Sequence, residues 1–356
     1  MPYISVHRNK TIVLSAFIIL TALLLFLQVS DLSNQVYHYV YPKAGIHCYR
    51  YKTATLPEIT DAHPKKGRSI FFHETSCNSY YNGKITIGAR QACAVESAAN
   101  MNPNFDVYLF GENTQSDRIL KALLTYKNLN ILHLDFEKYT KNTPVEDLYT
   151  SGAIENSDYP MSHASDVLRY LTLWKYGGIY LDLDVVVIKS LENIQPNYAG
   201  SESDFNVAAG ILSFSPTASA IIWRKPVWMT SKAALTATTG ATTVQVLLRS
   251  ICGVHKAKEM SHRDCQGFSV YPQEKFYAIP WWNWTMYFDA AAADTVFKLS
   301  KNSQIIHVWN KHSEHIQIPL SSGTPAPYLM YAKEFCPKTV EQCDEFFLIA
   351  IRYAYE

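Results

Sequence analysis

The longest apolar run of the chain lies close to its N-terminus, at residues 11–29, and few polar side chains interrupt it. As a helix this run would extend about 28 Å, which matches the hydrocarbon core of a bilayer. Basic residues precede it and Asp31 follows it, which predicts a signal anchor with residues 1–10 in the cytosol and the rest of the chain in the lumen. A cleaved signal peptide is the alternative, but its apolar region would usually be shorter, and no small-x-small cleavage site follows the run.

After the anchor, the predicted strands and helices begin only at about residue 67. Residues 30–66 have no sustained period and contain several prolines, which predicts a luminal stem. Strands are then predicted at residues 69–72, 106–110, 129–134 and 179–188, and helices at residues 90–101 and 162–176. Ser162 is expected to cap the second helix, and Gly177 and Gly178 to end it. This succession predicts an α/β domain over residues 67–356 with a Rossmann-like, mostly parallel sheet.

The composition supports a sizeable core and excludes one class of partner. Hydrophobic residues make up 48% of the chain and charged residues 18%, which is typical of a folded domain and not of a disordered one. The formal net charge is +1, so a nucleic-acid binder that works by neutralising phosphates is not expected.

The chain has seven cysteines, and no two of them form a CxxC pair. A structural zinc site is therefore not expected. Six cysteines form locally spaced pairs, which predicts short-range disulfides and an oxidising compartment. The predicted pairs are Cys77 with Cys93, Cys252 with Cys265, and Cys336 with Cys343. Cys48 is left over, either free or in a bridge between two copies of the chain, which would make a homo-oligomer.

Two carboxylates, Asp182 and Asp184, interrupt the last predicted strand. Alternate residues of a strand point the same way, so both should face one side, where two like charges in apolar surroundings are costly. A divalent cation such as Mg²⁺ or Mn²⁺ would remove that cost and could bridge the phosphates of a nucleoside diphosphate. The alternative is a strand end whose aspartates reach solvent, since a lone D-x-D occurs often by chance.

The neighbouring residues favour the first interpretation. From Ser162 to Asp184 the chain reads S-H-A-S-D-V-L-R-Y, then Y-G-G-I-Y-L-D-L-D after a short apolar helical stretch. This stretch resembles the DXD-containing sugar-binding region of the α1,4-galactosyltransferases and α1,4-N-acetylglucosaminyltransferases. The segments 71–76, 90–97 and 306–311 extend the resemblance, which spans about residues 68 to 345 and is strongest to the lactosylceramide 4-α-galactosyltransferase group.

The resemblance implies a GT-A glycosyltransferase fold behind one N-terminal transmembrane helix. It further implies a single-pass type II membrane protein of the Golgi with a luminal catalytic domain. The expected reaction is retaining transfer of galactose (or GalNAc) from UDP-Gal or UDP-GalNAc in α1,4 linkage onto a glycolipid such as lactosylceramide. Mn²⁺ is the expected cofactor, with Mg²⁺ as the alternative.

The resemblance also assigns roles at the metal and the donor. Asp184 should bind the metal directly, and Asp182 should contact the ribose or the metal through water; these two are the candidate catalytic residues. His307 should complete the metal shell, although a histidine of the core is the other interpretation. The remaining residues are expected near the donor sugar, the nucleotide or the diphosphate. They are His73, Thr75, Asp166, Arg169 and Lys311, with Asn310 as a weaker candidate.

A cluster of tryptophans, Trp281, Trp282 and Trp284, is the candidate acceptor site, since indole rings stack on sugars. A hydrophobic patch or a membrane-facing surface is the other interpretation. Asn283, in the sequon Asn-Trp-Thr, is a candidate N-glycosylation site. A second sequon at Asn9 falls on the cytosolic side and should stay unmodified.

The chain departs from the family pattern in two places, near residues 208–210 and 239–241, where alanine and threonine replace an expected asparagine and a Gly-Pro. The donor sugar therefore stays open. An α1,4-GlcNAc transferase of glycoprotein glycans, a non-catalytic glycosyltransferase-like partner and a GDP-sugar mannosyltransferase are alternatives. No covalent nucleophile is assigned, and nothing in the sequence separates Glu202 from Asp204 in that role.

Overall fold

The computed structural model describes residues 15–23, 56–75, 87–110, 118–157, 159–216 and 240–347. The chain forms two compact units, Met1–Ala44 with Tyr355 and Gly45–Ala354 with Glu356. In the first unit residues 15–23 are helical. Within the described ranges no helix is both long and apolar enough to span a membrane. The rest of the predicted anchor lies outside those ranges, so the anchor stays a prediction.

The second unit contains eleven strands in the part that the structure describes, and seven of them form one central sheet. The strands are β1 (Ser69–His73), β2 (Asp106–Phe110), β3 (Leu129–Leu132), β4 (Gly178–Leu181), β5 (Val185–Val187), β6 (Tyr198–Ser201), β7 (Val207–Phe214), β8 (Ser269–Tyr271), β9 (Ile305–His307), β10 (Ile318–Pro319) and β11 (Phe346–Phe347). The sheet has the order β3-β2-β1-β4-β7-β6-β8. β7 runs antiparallel to both of its neighbours, and every other pairing in this sheet is parallel. The predicted α/β class and mostly parallel sheet are thus confirmed.

The helices of this unit range from single turns to α6, which has 17 residues. They are α1 (Ile59–Ala62), α2 (Ala89–Met101), α3 (Arg118–Leu123), α4 (Phe136–Thr140), α5 (Glu146–Thr150), α6 (Pro160–Tyr176), α7 (Gly240–Cys252), α8 (Gln273–Phe276), α9 (Ala293–Ser300), α10 (Asn310–Ser313), α11 (Pro327–Phe335) and α12 (Pro337–Glu341). Short 3₁₀ turns add Ala257–Glu259, Trp281–Tyr287 and Ala290–Ala292.

Helices cover both faces of the central sheet. Every residue of β1 is buried. Because successive side chains of a strand point to opposite faces, Ile70 and Phe72 pack in an apolar cluster with α2, whereas Phe71 packs in another with α6. Burial on both faces explains why this strand reads as an unbroken apolar run.

The strand predicted at residues 179–188 is two strands in two different sheets. β4 ends at Leu181, and β5 pairs antiparallel with β9, with Val185 opposite His307. Asp182 and Asp184 therefore lie in the connection between the sheets, and the strand alternation predicted for them is wrong. In this second sheet Val186 packs in a separate apolar cluster with Ile306 and Val308.

The ends of α6 differ in how well the sequence predicted them. Ser162 does not cap the helix, because α6 already begins at Pro160, whose fixed φ and missing N–H suit a first turn. The glycine pair does end it. Gly177 has φ +63°, and a Cβ at Gly178 would collide with the carbonyl oxygen of Ser69.

The disulfides confirm one predicted pair and correct the others. Cys252 bonds Cys265 as expected. Cys93, however, bonds Cys336 across a sequence separation of 243 residues. The predicted pairs Cys77 with Cys93 and Cys336 with Cys343 are therefore both wrong. Cys77 lies outside the described residues, and Cys343 is a free thiol. Tertiary packing decides this pairing, since α2 and the end of α11 meet in the core, where both bonded cysteines are fully buried.

Candidate active site

The parallel pairing of β1 with β4 brings their carboxyl ends to the same edge of the sheet, where a cavity of about 370 Å³ opens. Loops at this edge build the sites of open α/β sheets. Many of the residues proposed from the sequence line this cavity. They are His73, Thr75, Asp166, Arg169, Asp182, Asp184, His307, Asn310 and Lys311.

Three of these side chains form a group suited to a cation. One ligand atom each from Asp182, Asp184 and His307 lies within 4.8 Å of the others. The register of β5 on β9 puts His307 opposite Val185, next to the second aspartate. His307 thus lies beside the two aspartates, as predicted, although no local pattern around it indicated this position; its role as a metal ligand stays a prediction.

The surroundings of this group fit a divalent cation. Asp184 Oδ1 is buried and lies 3.0 Å from His307 Nε2. An oxygen and an imidazole nitrogen this close together could both coordinate one cation. The space beside it is kept open by Gly210, where an added Cβ would lie 3.0 Å from Asp182 Oδ2 and 3.1 Å from His307 Nε2. Carboxylate oxygens with one imidazole are ligands that Mn²⁺ and Mg²⁺ accept.

Asp184 and His307 each stabilise the charged form of the other. Burial alone would raise the pKa of Asp184, but the neighbouring His307 outweighs it and lowers that pKa. Burial would likewise lower the pKa of His307, and the Asp184 carboxylate raises it instead. Asp184 is therefore ionised at neutral pH, while a proton on His307 competes with any cation for that nitrogen.

Asp182 faces a buried arginine. Its Oδ1 accepts a hydrogen bond of 2.7 Å from the Tyr180 hydroxyl and lies 3.4 Å from Arg169 Nη1. Arg169 also contacts Asp166 at 3.1 Å and donates to the carbonyl oxygen of Ala209. Burial would lower the pKa of Arg169, but the nearby Asp182 carboxylate raises it, so the guanidinium stays charged. The predicted proximity of Asp166 and Arg169 is confirmed, and their role toward a donor stays a prediction.

His73 contributes a neutral polar group to the cavity. Burial, helped by the charge of Arg169, lowers its pKa to about 3. Its Nε2 lies 3.2 Å from Thr172 Oγ1, and its ring stacks on Phe110. Such a side chain exchanges hydrogen bonds without titrating near neutral pH.

The cavity also includes Tyr180, Gly210 and Tyr277, which were not assigned from the sequence, and Glu202, which was named only as an alternative to Asp204. Tyr180 had a signal, because it precedes Asp182 by two positions. Gly210 also had one, as a glycine inside an apolar strand. Tyr277 reaches the cavity only through tertiary packing. Burial raises the pKa of Glu202.

The structure separates the two carboxylates that the sequence could not. Glu202 lines the cavity. Asp204 is not among the lining residues, and its carboxylate pairs with Lys258 at 2.5 Å. A role in the chemistry is therefore open to Glu202 alone of the two.

The tryptophan cluster does not line the cavity. Trp281 and Trp282 are 43% and 54% exposed. Trp281 stacks on His312 at 5.6 Å between ring centroids, one residue beyond Lys311, so the cluster lies near the cavity without entering it. Trp284 contacts Phe288 and His315. An acceptor role for these residues stays a prediction.

The chain matches two family models. Residues 88–201 match the glycosyltransferase sugar-binding region containing the DXD motif. Residues 232–343 match the alpha 1,4-glycosyltransferase conserved region. The first region contains Arg169 and both aspartates, and the second contains His307, so the candidate metal group takes residues from both.

Whole proteins are similar as well. Human lactosylceramide 4-alpha-galactosyltransferase is 29% identical over 303 residues, which cover 81% of either chain. Human alpha-1,4-N-acetylglucosaminyltransferase is 24% identical over 259 residues, 70% of this chain and 74% of that protein. The crystal structure of the galactosyltransferase LgtC with donor and acceptor sugar analogues covers 77% of this chain and 95% of its own at 12% identity, with a TM-score of 0.38. The chain therefore carries the two conserved regions of the DXD-containing α1,4-glycosyltransferases, and two human enzymes of that group are similar to it over most of its length.

Proposed function

We propose that this protein is a retaining α1,4-galactosyltransferase that moves galactose from UDP-Gal onto a glycosphingolipid such as lactosylceramide. The observation that carries the proposal is the convergence of Asp182, Asp184 and His307 beside the buried Arg169 in one cavity. The choice of galactose and of a lactosylceramide-like acceptor is supported by homologues of that name at 29% identity. We also propose the GT-A variant of the α/β fold for residues 67–356.

Asp182, Asp184 and His307 would hold the cation, Mn²⁺ or Mg²⁺. When bound, such an ion offsets the negative charge that builds up on the departing diphosphate. Arg169 and Lys311 would hold that diphosphate from the protein side. Arg169 suits this role because its guanidinium is fixed by Asp166 and Asp182 and keeps its charge. Fixed charges stabilise developing charge better than mobile ones, since they need no reorganisation.

The residues of the cavity also indicate where the proton of the acceptor hydroxyl would go. His73 is neutral and would hydrogen-bond the donor without supplying or taking a proton. The departing phosphate oxygen would accept the proton of the attacking hydroxyl, on the face that it leaves, which retains the configuration. Glu202 is the cavity carboxylate that would orient that hydroxyl.

The acceptor would approach from the side of Lys311, where Trp281 stacks on the adjacent His312. Because Trp281 and Trp282 are exposed, they are available to a sugar ring or to a lipid surface. We propose that residues 11–29 anchor the protein in the Golgi membrane with the catalytic unit in the lumen, which would keep it beside a lipid-borne acceptor.

An N-acetylated donor, UDP-GalNAc or UDP-GlcNAc, is the second candidate. Ala208 and Ala209, near which the family pattern has an asparagine, are among the lining residues of the cavity. A homologue at 24% identity is an alpha-1,4-N-acetylglucosaminyltransferase.

The decisive experiment measures sugar transfer by the full chain, purified in detergent. Each of the three UDP-sugars is tested with lactosylceramide and with other glycan acceptors, once in the presence of Mn²⁺ and once with a chelator. We expect transfer from UDP-Gal that needs the metal, and a loss of about 100-fold or more in Asp184→Asn. Asp204→Asn is the matched control, because it removes an exposed carboxylate outside the cavity. Transfer only from an N-acetylated donor would replace galactose, and no turnover by folded protein would leave a non-catalytic relative.

A further inference from the structure

Arg90 is a fully buried cation whose guanidinium has no carboxylate within ion-pair distance in the described part of the chain. Its group lies against two aromatic rings, 5.0 Å from the centroid of Phe288 and 5.4 Å from that of Tyr328. A buried charge is costly unless hydrogen bonds replace its water, so the partners of this group indicate what it is for.

Those partners all belong to α10, the single helical turn that follows β9. Arg90 Nη1 donates to the carbonyl oxygen of Ser313 at 2.8 Å. Nη2 donates to Asn310 Oδ1 at 2.6 Å and to Ser313 Oγ at 2.5 Å. The fork of the guanidinium thus spans the turn from its first residue to its last, and a lysine would not reproduce it.

Asn310 connects this fork to the candidate metal group. Its backbone N–H donates to Asp184 Oδ2 at 3.1 Å, and its Nδ2 donates to the carbonyl oxygen of Leu183 at 3.4 Å. One side chain therefore separates Arg90 from the connection that carries both aspartates. By holding Oδ2, Asn310 leaves Oδ1 of Asp184 facing His307.

The turn needs such support, because Trp309 just before α10 has φ +53° and ψ +56°. This left-handed conformation is unfavourable for a bulky residue unless the surroundings impose it. Trp309 Nε1 donates to the carbonyl oxygen of Ile279, and Ser313 Oγ lies 3.2 Å from the carbonyl oxygen of Trp309. Arg90 fixes Ser313 and so stabilises the strained turn from the inside.

We propose that Arg90 is a positioning residue for the metal centre: through Asn310 it fixes the Asp184 carboxylate in the orientation that binds the cation. The inference rests on the metal site of the proposed function and adds to it a residue 94 positions before Asp184 in the sequence. It concerns binding geometry, so it is measurable without turnover.

The test is a calorimetric titration of the full chain in detergent with Mn²⁺ alone. Arg90→Lys keeps the charge and loses the fork, and Asn310→Ala removes the acceptor between Arg90 and the aspartates. We expect the Kd for Mn²⁺ to rise about tenfold or more in each variant. If Arg90 acts through Asn310, the double variant should be within about threefold of Asn310→Ala rather than showing the product of both losses.

Ser300→Ala is the matched structural control, because it removes a buried hydrogen bond to Tyr331 away from the metal group. It should lower the thermal midpoint and leave the Kd for Mn²⁺ unchanged. A merely structural Arg90 would behave in the same way, and that result for Arg90→Lys would overturn the proposal. Should Arg90→Lys fail to fold, a wild-type Kd in Asn310→Ala would overturn it equally. If the wild-type chain binds no Mn²⁺, the proposed metal site does not exist, and this inference is overturned together with it.

Discussion

Gly210 shows how one missing side chain decides the shape of the metal site. It lies in β7 beside Asp182, whose backbone N–H donates to the Gly210 carbonyl oxygen at 2.9 Å. The strand places its Cα against the space between Asp182 and His307, so a methyl group here would crowd the candidate ligand atoms of both residues.

We therefore predict that Gly210→Ala raises the Kd for Mn²⁺ by about tenfold or more, since the new Cβ crowds the ligand atoms of Asp182 and His307. Calorimetric titration with Mn²⁺ measures this. Gly323→Ala is the control, because a Cβ at that position meets nothing within 4 Å. Unchanged affinity in Gly210→Ala would place the cation elsewhere.

Proton competition at His307 gives a second prediction at this scale. The Asp184 carboxylate raises the pKa of His307 above its ordinary 6.5, so the protonated form already competes with the cation near neutral pH. Below that pKa the apparent affinity for Mn²⁺ should fall by up to about tenfold per pH unit. Titrations between pH 8 and pH 5 test this, and a flat profile would show that His307 is no ligand.

His73 should make the protein sensitive to acid. Its pKa is about 3 in the folded chain and 6.5 in the reference state. As pH falls below 6.5 the unfolded state binds a proton that the folded state refuses, so stability is lost by about 1.4 kcal/mol per pH unit until the folded pKa is reached. Denaturant unfolding at pH 7, 6 and 5 gives the free energy of unfolding at each pH. This free energy should fall less steeply with decreasing pH in His73→Phe than in the wild type. His255→Gln, at an exposed position, should keep the wild-type slope.

At the scale of elements, the connection between β4 and β5 carries the two aspartates of the candidate metal group. β4 belongs to the central sheet and β5 to the pair with β9, so the chain must turn out of one sheet and into the other at Asp182 and Asp184. At this turn one ligand atom of each carboxylate lies within 4.8 Å of a ring nitrogen of His307.

The two disulfides of the described chain should differ in their contribution to stability. Cys93–Cys336 closes a loop with a sequence separation of 243, against 13 for Cys252–Cys265. In the chain-entropy view the longer loop constrains the unfolded state more, by about 5.5 kcal/mol against about 3 kcal/mol. We expect the Cys93→Ser/Cys336→Ser double variant to lose more free energy of unfolding than Cys252→Ser/Cys265→Ser, as denaturant titration would measure. Cys343→Ser should leave the free energy unchanged, and equal losses in the two pairs would contradict the expectation.

At the scale of the whole molecule, the proposed membrane orientation predicts where a glycan is attached. Asn283 is exposed in its sequon, and a luminal catalytic unit would present it to the glycosylation machinery. Endoglycosidase treatment of protein from mammalian cells should shift wild-type mobility and not that of Asn283→Gln. Asn9→Gln should behave as the wild type, because residue 9 lies on the cytosolic side of the predicted anchor. A mobility shift that disappears in Asn9→Gln would show that the membrane orientation is the opposite of the one proposed.

The sequence by itself determined whatever depends on neighbouring residues. The apolar period of α6, the glycine pair that ends it and the unbroken run of β1 predicted those elements within a few positions. The D-x-D motif and the residues before it also named the family, because that signal is local.

The tertiary structure alone decided what depends on distant residues. His307 reaches Asp184 because β9 pairs with β5, Cys93 bonds Cys336 because α2 meets α11, and Arg90 supports Asn310 from another helix. Each of these contacts joins positions more than a hundred residues apart, where the local pattern carries no information on pairing. The division of the predicted 179–188 strand has the same cause, since β5 pairs with the distant β9 and not with the central sheet.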